Sequence, residues 1–146
     1  MPGRVPYAGG FRWQGVEVHP YKAEATHFRG VTRQLLFAEG AGASELRYFE
    51  VAPGGYTTLE RHEHAHQVMV LRGRGKALLG NDIVGLEAFD LVGVPPLAWH
   101  QFRADAGEAL GFLCLVGRDR DRPQRPDEPQ LAALRLEPEI SAFIRV

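Results

Sequence analysis

The sequence predicts an all-β barrel, and three observations carry that expectation. Seventeen glycines and ten prolines divide the chain into short stretches rich in Val, Leu, Phe and Tyr. Those stretches lack the 3.6-residue apolar period of long helices, and tight-turn residues separate them. Many short strands on short turns favour a sandwich or barrel, in which closure removes exposed sheet edges.

In chain order, the first thirty residues are Gly-, Pro- and aromatic-rich and read as an N-terminal arm (1–30) that covers the barrel or exchanges with a partner subunit. The barrel, 31–117, is expected to use strands at Thr32 to Phe37, Glu45 to Val51, Thr57 to His62, Gln67 to Leu71, Gly75 to Leu79, Ile83 to Leu86, Asp90 to Val94, Trp99 to Phe102 and Ala109 to Val116. Gly80-Asn81-Asp82 marks a tight turn, because Gly and Asn tolerate positive φ. From Arg118 to Pro123 the chain turns charged and proline-punctuated, which cannot continue a buried strand. In this last stretch, 118–146, Asp127 is placed to cap a helix carrying Leu131 and Leu134, and Pro138 to Ile144 forms another short helix; both are expected on the outside of the barrel.

The 146 residues suit one domain whose core needs no metal or disulfide staple, so a metal here would be functional. A net charge of -1 gives no basic footprint for nucleic acid or an anionic membrane. No stretch approaches the roughly 20 apolar residues of a membrane span, and the first residues lack the apolar middle of a signal peptide, so a cytoplasmic location is expected. The single cysteine excludes an intramolecular disulfide.

Four of the six histidines fall between positions 62 and 100, three of them in Glu60-Arg61-His62-Glu63-His64-Ala65-His66. On a strand, Glu60 and His62 project to the same face, and His66 closes on the same point after a turn or bulge. Imidazole and carboxylate are the ligands that divalent Mn, Fe, Ni or Zn accept, whereas a structural zinc site more often uses several cysteines. His64 is a rival ligand, a proton-transfer group or an exposed loop residue, and the cluster leaves these open. His19 and His27 fall in the arm and are read as structural or exposed.

These residues resemble a known family. Gly54, five residues, Glu60-Arg61-His62, three residues, His66, six residues and Gly73 follow the spacing of the first cupin motif, with Glu60 standing where its first His is usual and His66 where its Glu is usual. Phe89-Asp90, Pro95-Pro96 and His100-Gln101-Phe102 are similar to the second motif, although Phe89 and Leu97 replace its glycines and Ala104 its Asn. The resemblance implies a cupin double-stranded β-helix, a jelly-roll barrel, with Glu60, His62, His66 and His100 as metal ligands. Four protein ligands on an octahedral ion leave two adjacent positions open, enough to chelate a hydroxy-ketone or enediolate.

On the strand from Leu110 to Val116, Phe112 and Cys114 share a face, so the thiol is either a small core residue or a group facing the metal. Segments from Glu45-Leu46-Arg47-Tyr48-Phe49 through Trp99-His100-Gln101-Phe102-Arg103-Ala104 to Gly111-Phe112-Leu113-Cys114 resemble the bacterial cupins of the 1-methylthio-xylulose 5-phosphate methylsulfurylase family. That resemblance implies Mn2+, glutathione or another thiol as co-substrate, a sugar phosphate substrate, and cleavage of its carbon-sulfur bond to give 1-deoxy-xylulose 5-phosphate. Cys114 would attack sulfur or position the external thiol, and His64 would move protons. Arg29, Arg33, Arg47 and Arg61 lie where phosphate donors are needed, with Arg33 and Arg61 ranked first, although strand arginines are more often solvated or paired with carboxylates. Trp99 and Phe102 flank His100 and either line the pocket or fill the core.

Two other readings accompany this one: a metal cupin of different chemistry, either a dioxygenase or a sugar-phosphate isomerase, and a non-catalytic small-molecule binding module, because fold does not fix function. Small barrels with a covering arm often dimerise, so a homodimer is the expected assembly.

Overall fold

Alternation of apolar and polar side chains along each strand decides which way this sheet curls. In the computed structural model, which describes residues 3–21, 27–37 and 44–146, β1 (Tyr7–Gly9) and β2 (Arg12–Trp13) form a small hairpin. All further strands belong to one antiparallel sheet: β3 (His19–Pro20), β4 (Arg29–Phe37), β5 (Ser44–Tyr56), β6 (His66–Arg72), β7 (Gly75–Leu79), β8 (Asp82–Leu86), β9 (Leu91–Val94), β10 (His100–Ala104) and β11 (Leu110–Gly117). Hydrogen-bonded order runs β8-β7-β10-β5-β11-β6-β9, with β4 on the other side of β5 and β3 on β4.

The inward faces meet because β5 supplies Phe49 and Val51, β10 Phe102 and Ala104, and β11 Phe112, Cys114 and Val116, all buried in one cluster. Phe112 stacks on Phe49 at 5.7 Å and on Phe102 at 4.8 Å between ring centroids. Each such ring contributes large apolar area and gains by offset stacking. β5 is buried on its outer face too. Tyr48, fully buried, lies under Phe11 (5.9 Å, stacked) and Trp13 (5.2 Å), so the N-terminal arm covers the barrel within its own chain. The Tyr48 ring also sits against Gly111 so closely that a Cβ there would collide with the phenol, which explains a glycine in the middle of β11. Arm residues 1–2 and 22–26 lie outside the described residues.

After β11, Asp127 caps α1 (Glu128–Leu134) with a reciprocal capping box to Gln130, and α2 (Pro138–Phe143) follows. Leu134, Ile140, Phe143 and Ile144 pack on Leu59 and Leu78, forming a second apolar cluster outside the barrel. The fully buried Gln101 ties this end down: its Nε2 donates to Thr57 O and Arg145 O, both at 2.8 Å, and its Oε1 accepts from Arg145 N at 2.9 Å. Among the described residues no helix is long and apolar enough to cross a membrane.

Thr57 to His62 does not form the expected continuous strand; only isolated bridges occur, Glu60 with His100 and Arg61 with Gln124. Side chains there replace ladder bonds: Phe102 N donates to Thr57 Oγ1, and Gln101 takes the Thr57 carbonyl. Phe89 and Leu97 adopt positive φ (74° and 61°), so the backbone keeps a glycine-like conformation without glycine.

Candidate metal centre

Three imidazoles converge beside the cavity lined by residues of β4, β5, β6, β10 and β11, with His66 and His100 in its lining and His62 adjoining them. One ring nitrogen from each of His62, His66 and His100 lies within 4.8 Å of the others. His66 opens β6 opposite Val94, His100 opens β10, and the bridging segment brings in His62. Ring centroids of His62 are 4.2 Å from His66 and 4.7 Å from His100.

The tautomers follow from the hydrogen bonds. His62 Nδ1 is 2.6 Å from His64 O, and His100 Nδ1 is 2.9 Å from Ala98 O. A carbonyl only accepts, so Nδ1 carries the proton in both rings and Nε2 presents a lone pair. Both Nε2 atoms are buried and have no hydrogen-bond partner. Burial pushes all three rings toward the neutral form: His62 is lowered, His100 falls to about 4 and His66 to about 2, with the neighbouring histidines adding repulsion. Neutral imidazoles with fixed Nδ1–H bonds and unused Nε2 lone pairs fit a divalent ion of the first transition row.

Glu60 is buried and lines the same cavity, but its carboxylate stands outside the close group of three histidines. His64 stacks flat on His62 at 3.7 Å, and its Nδ1 lies 2.6 Å from Asp121 Oδ1. Asp121 also accepts from Glu63 N (2.7 Å) and His64 N (3.0 Å). Those donors hold its carboxyl far below the usual carboxylate range. Asp121, in the charged segment after the barrel, carried no signal in the sequence reading.

The cavity, about 270 Å3, is lined by Glu60, His64, His66 and His100 at one end and by Phe49, Phe102, Phe112 and Cys114 along its wall. Arg33 reaches it from β4. Arg61 and Trp99, expected to contact substrate, are not in its lining. Glu60 bridges His100 and lines the cavity, whereas Arg61 bridges Gln124 on the other side, where the guanidinium stacks on Trp99 (4.6 Å) and donates to Gln124, while Trp99 packs on the apolar cluster beneath α1 and α2.

Cys114 pairs across the ladder with Arg47, and Arg47 Nη2 lies 3.6 Å from Cys114 Sγ. Both side chains are buried, and Arg47 Nε has no partner. Burial pushes the Cys114 thiol up, while Arg47 and Arg120 pull it down. The sequence reading named Arg47 only among candidate phosphate donors; its place opposite Cys114 depends on the β5–β11 register, which no local pattern specifies.

Comparisons with known proteins agree with this barrel fold. The cupin domain model matches residues 47–116. A protein of Rhodospirillum rubrum named 1-methylthio-D-xylulose 5-phosphate methylsulfurylase is 52% identical over 140 residues, covering 95% of this chain and 90% of its own. Among solved structures, a cupin 2 conserved barrel domain protein from Rhodopseudomonas palustris superposes with TM-score 0.94 at 51% identity, covering 98% of this chain and 99% of that one. A cupin-2 domain from Rhodospirillum rubrum gives TM-score 0.88 at 52% identity over 96% and 95% of the two chains. With such identity over nearly its whole length and the same barrel, this protein belongs to the cupin family.

Proposed function

We propose that this cupin is a metal-dependent, thiol-dependent lyase of a methylthio sugar phosphate, cleaving the carbon-sulfur bond of 1-methylthio-xylulose 5-phosphate to 1-deoxy-xylulose 5-phosphate. The observation that carries the reading is that a buried thiol lines the same cavity as His66 and His100, while His100 and the adjoining His62 each present an unpartnered Nε2 lone pair. The high identity to a relative bearing the methylsulfurylase name points the same way.

His62, His66 and His100 would hold a divalent ion, with Glu60 from the cavity lining as the candidate fourth ligand, and Mn2+ is the proposed metal. Bound there, it supplies Lewis-acid polarisation of a ketone and an adjacent hydroxyl. The remaining steps belong to the protein. Phe102, Phe112 and Val68 offer an apolar wall to the methylthio group and exclude water. Arg33 gives the phosphate a fixed cation at the cavity lining. Cys114 thiolate attacks the methylthio sulfur; a sulfur-sulfur bond forms, the carbon-sulfur bond breaks, and its electron pair passes to the carbon adjacent to the ketone. His64, held through Nδ1 by Asp121, delivers a proton from Nε2 to that carbon. A second thiol such as glutathione then attacks the methylthio sulfur and releases Cys114 as thiolate.

The test is incubation of Mn2+-loaded protein with 1-methylthio-xylulose 5-phosphate and glutathione, followed by phosphorus NMR and mass spectrometry. Wild type is expected to form 1-deoxy-xylulose 5-phosphate and methylthio-glutathione. Cys114→Ser is expected to keep its metal content and lose product formation. Absence of turnover in folded, fully loaded wild type would overturn the reading, and full turnover by Cys114→Ser would remove the thiol from it.

A further inference from the structure

Arg47 is the most unusual charge in the molecule. Its side chain is more than nine-tenths buried, and among the described residues it makes no ion pair with a carboxylate. Its Nε is buried without a partner, and its guanidinium lies over the Phe49 ring at 5.0 Å. A buried cation normally needs an anion or a full set of acceptors, because desolvation otherwise costs several kcal/mol. The polar atom offered to it here is the Cys114 sulfur, 3.6 Å from Nη2.

We propose that the Arg47 guanidinium is the counter-charge of a Cys114 thiolate, stabilising that sulfur both as attacking group and as leaving group when a second thiol resolves the mixed disulfide. This rests on Cys114 being the reacting sulfur. The pair is preset by the fold: Arg47 on β5 and Cys114 on β11 are direct cross-strand partners whose side chains point to the same, inner face. The aromatic walls at Phe49, Phe102 and Phe112 lower the local dielectric, which strengthens a charge pair at this separation. Other charged or titratable groups near the sulfur are weaker candidates. Arg120 is already tied to Glu45 at 3.3 Å and to Gly117 O, Glu60 is of the wrong sign, and Tyr21 is held protonated by burial. Among the described residues Arg47 is the cation within 3.6 Å of the sulfur, and no ion pair to a carboxylate holds it, so its removal should leave the fold intact and weaken the thiolate.

Cys114 is the only cysteine in the sequence, so alkylation by iodoacetamide reports this one sulfur without any sugar phosphate present. Rates at pH 7.5 are compared for wild type, Arg47→Gln, Arg47→Met and Arg47→Lys, each metal-free and Mn2+-loaded. Arg47→Gln and Arg47→Met are expected to alkylate about tenfold more slowly or less, as follows when a neighbouring cation no longer lowers a thiol pKa. Arg47→Lys, which keeps the charge, is expected to recover part of the rate. The Tm of Arg47→Met should equal or exceed that of wild type, because a buried charge without a carboxylate partner is replaced by an apolar chain of similar length. Wild-type alkylation rates in folded Arg47→Met or Arg47→Gln would overturn the proposal; so would a lowered Tm with unchanged alkylation, the signature of a purely structural arginine. Alkylation that depends on Arg47 in a protein without methylthio turnover would overturn the methylsulfurylase reading alone. Turnover with alkylation indifferent to Arg47 would overturn this proposal alone.

Discussion

Mild acid should unfold the metal-free protein through its own candidate ligands. His66 and His100 titrate at about 2 and about 4 in the fold, against an ordinary value of 6.5. The unfolded chain therefore binds more protons than the native state below pH 6.5, and stability falls as pH falls. The contribution of each neutral ring is fully present above that value. It is lost progressively toward pH 4, where His100 begins to protonate within the fold and its share of the slope flattens. At pH 5 an unfolded imidazole is almost entirely charged, so each ring removes about 2 kcal/mol and the two together about 4 kcal/mol. For a chain of this size that lowers Tm by roughly 10 °C between pH 7 and pH 5. Asp121, held below the usual carboxylate range, adds its loss only at more acid pH. The assay is thermal unfolding of chelator-treated protein, read by tryptophan fluorescence in buffers of equal ionic strength. A Tm constant to within a degree or two over this interval would refute the reasoning. So would an equal fall in the His66→Gln, His100→Gln double variant, which keeps only His62 of the three lowered rings.

Gln101→Ala removes three buried hydrogen bonds to Thr57 and Arg145 and leaves their carbonyls and amide unpaired, so unfolding in urea should show a loss of about 2–4 kcal/mol, with α2 losing amide protection first. Phe89→Gly relieves a left-handed backbone at a side chain that is 75% exposed, and should raise stability by about 0.5–1 kcal/mol in the same experiment.

The barrel was legible because apolar alternation and turn residues act locally. β7 has the expected bounds of Gly75–Leu79, and Asp127 caps α1 where its sequence says it should. The arm hairpin was not legible, since strands of three and two residues separated by Gly10 and Phe11 carry no period, and the packing of Phe11 and Trp13 on Tyr48 holds them. The Thr57 to His62 expectation failed because the Gln101 side chain takes the Thr57 carbonyl and the Thr57 hydroxyl takes Phe102 N, where a β ladder would have used backbone on both sides. The gathering of His62, His66 and His100 was legible as spacing, whereas the position of Glu60 relative to them was not, because a carboxylate's reach depends on rotamer and neighbours. Arg61 and Trp99, next in sequence to Glu60 and His100, stack on each other outside the cavity lining, a placement their neighbours in sequence did not reveal.

Tyr48 also acts as a key for strand alignment. Wedged between the arm's aromatic rings and the bare backbone of Gly111, it fits β5 against β11 in one setting only. A slip by one residue would turn the phenol into the cavity and throw Arg47 into the position now covered by the arm. The pairing of Arg47 with the sole cysteine is thus guarded from outside the barrel, by residues that do not line the cavity. Sequence drift in the arm would reach the Arg47–Cys114 pair as misalignment before it was felt as a loss of contact.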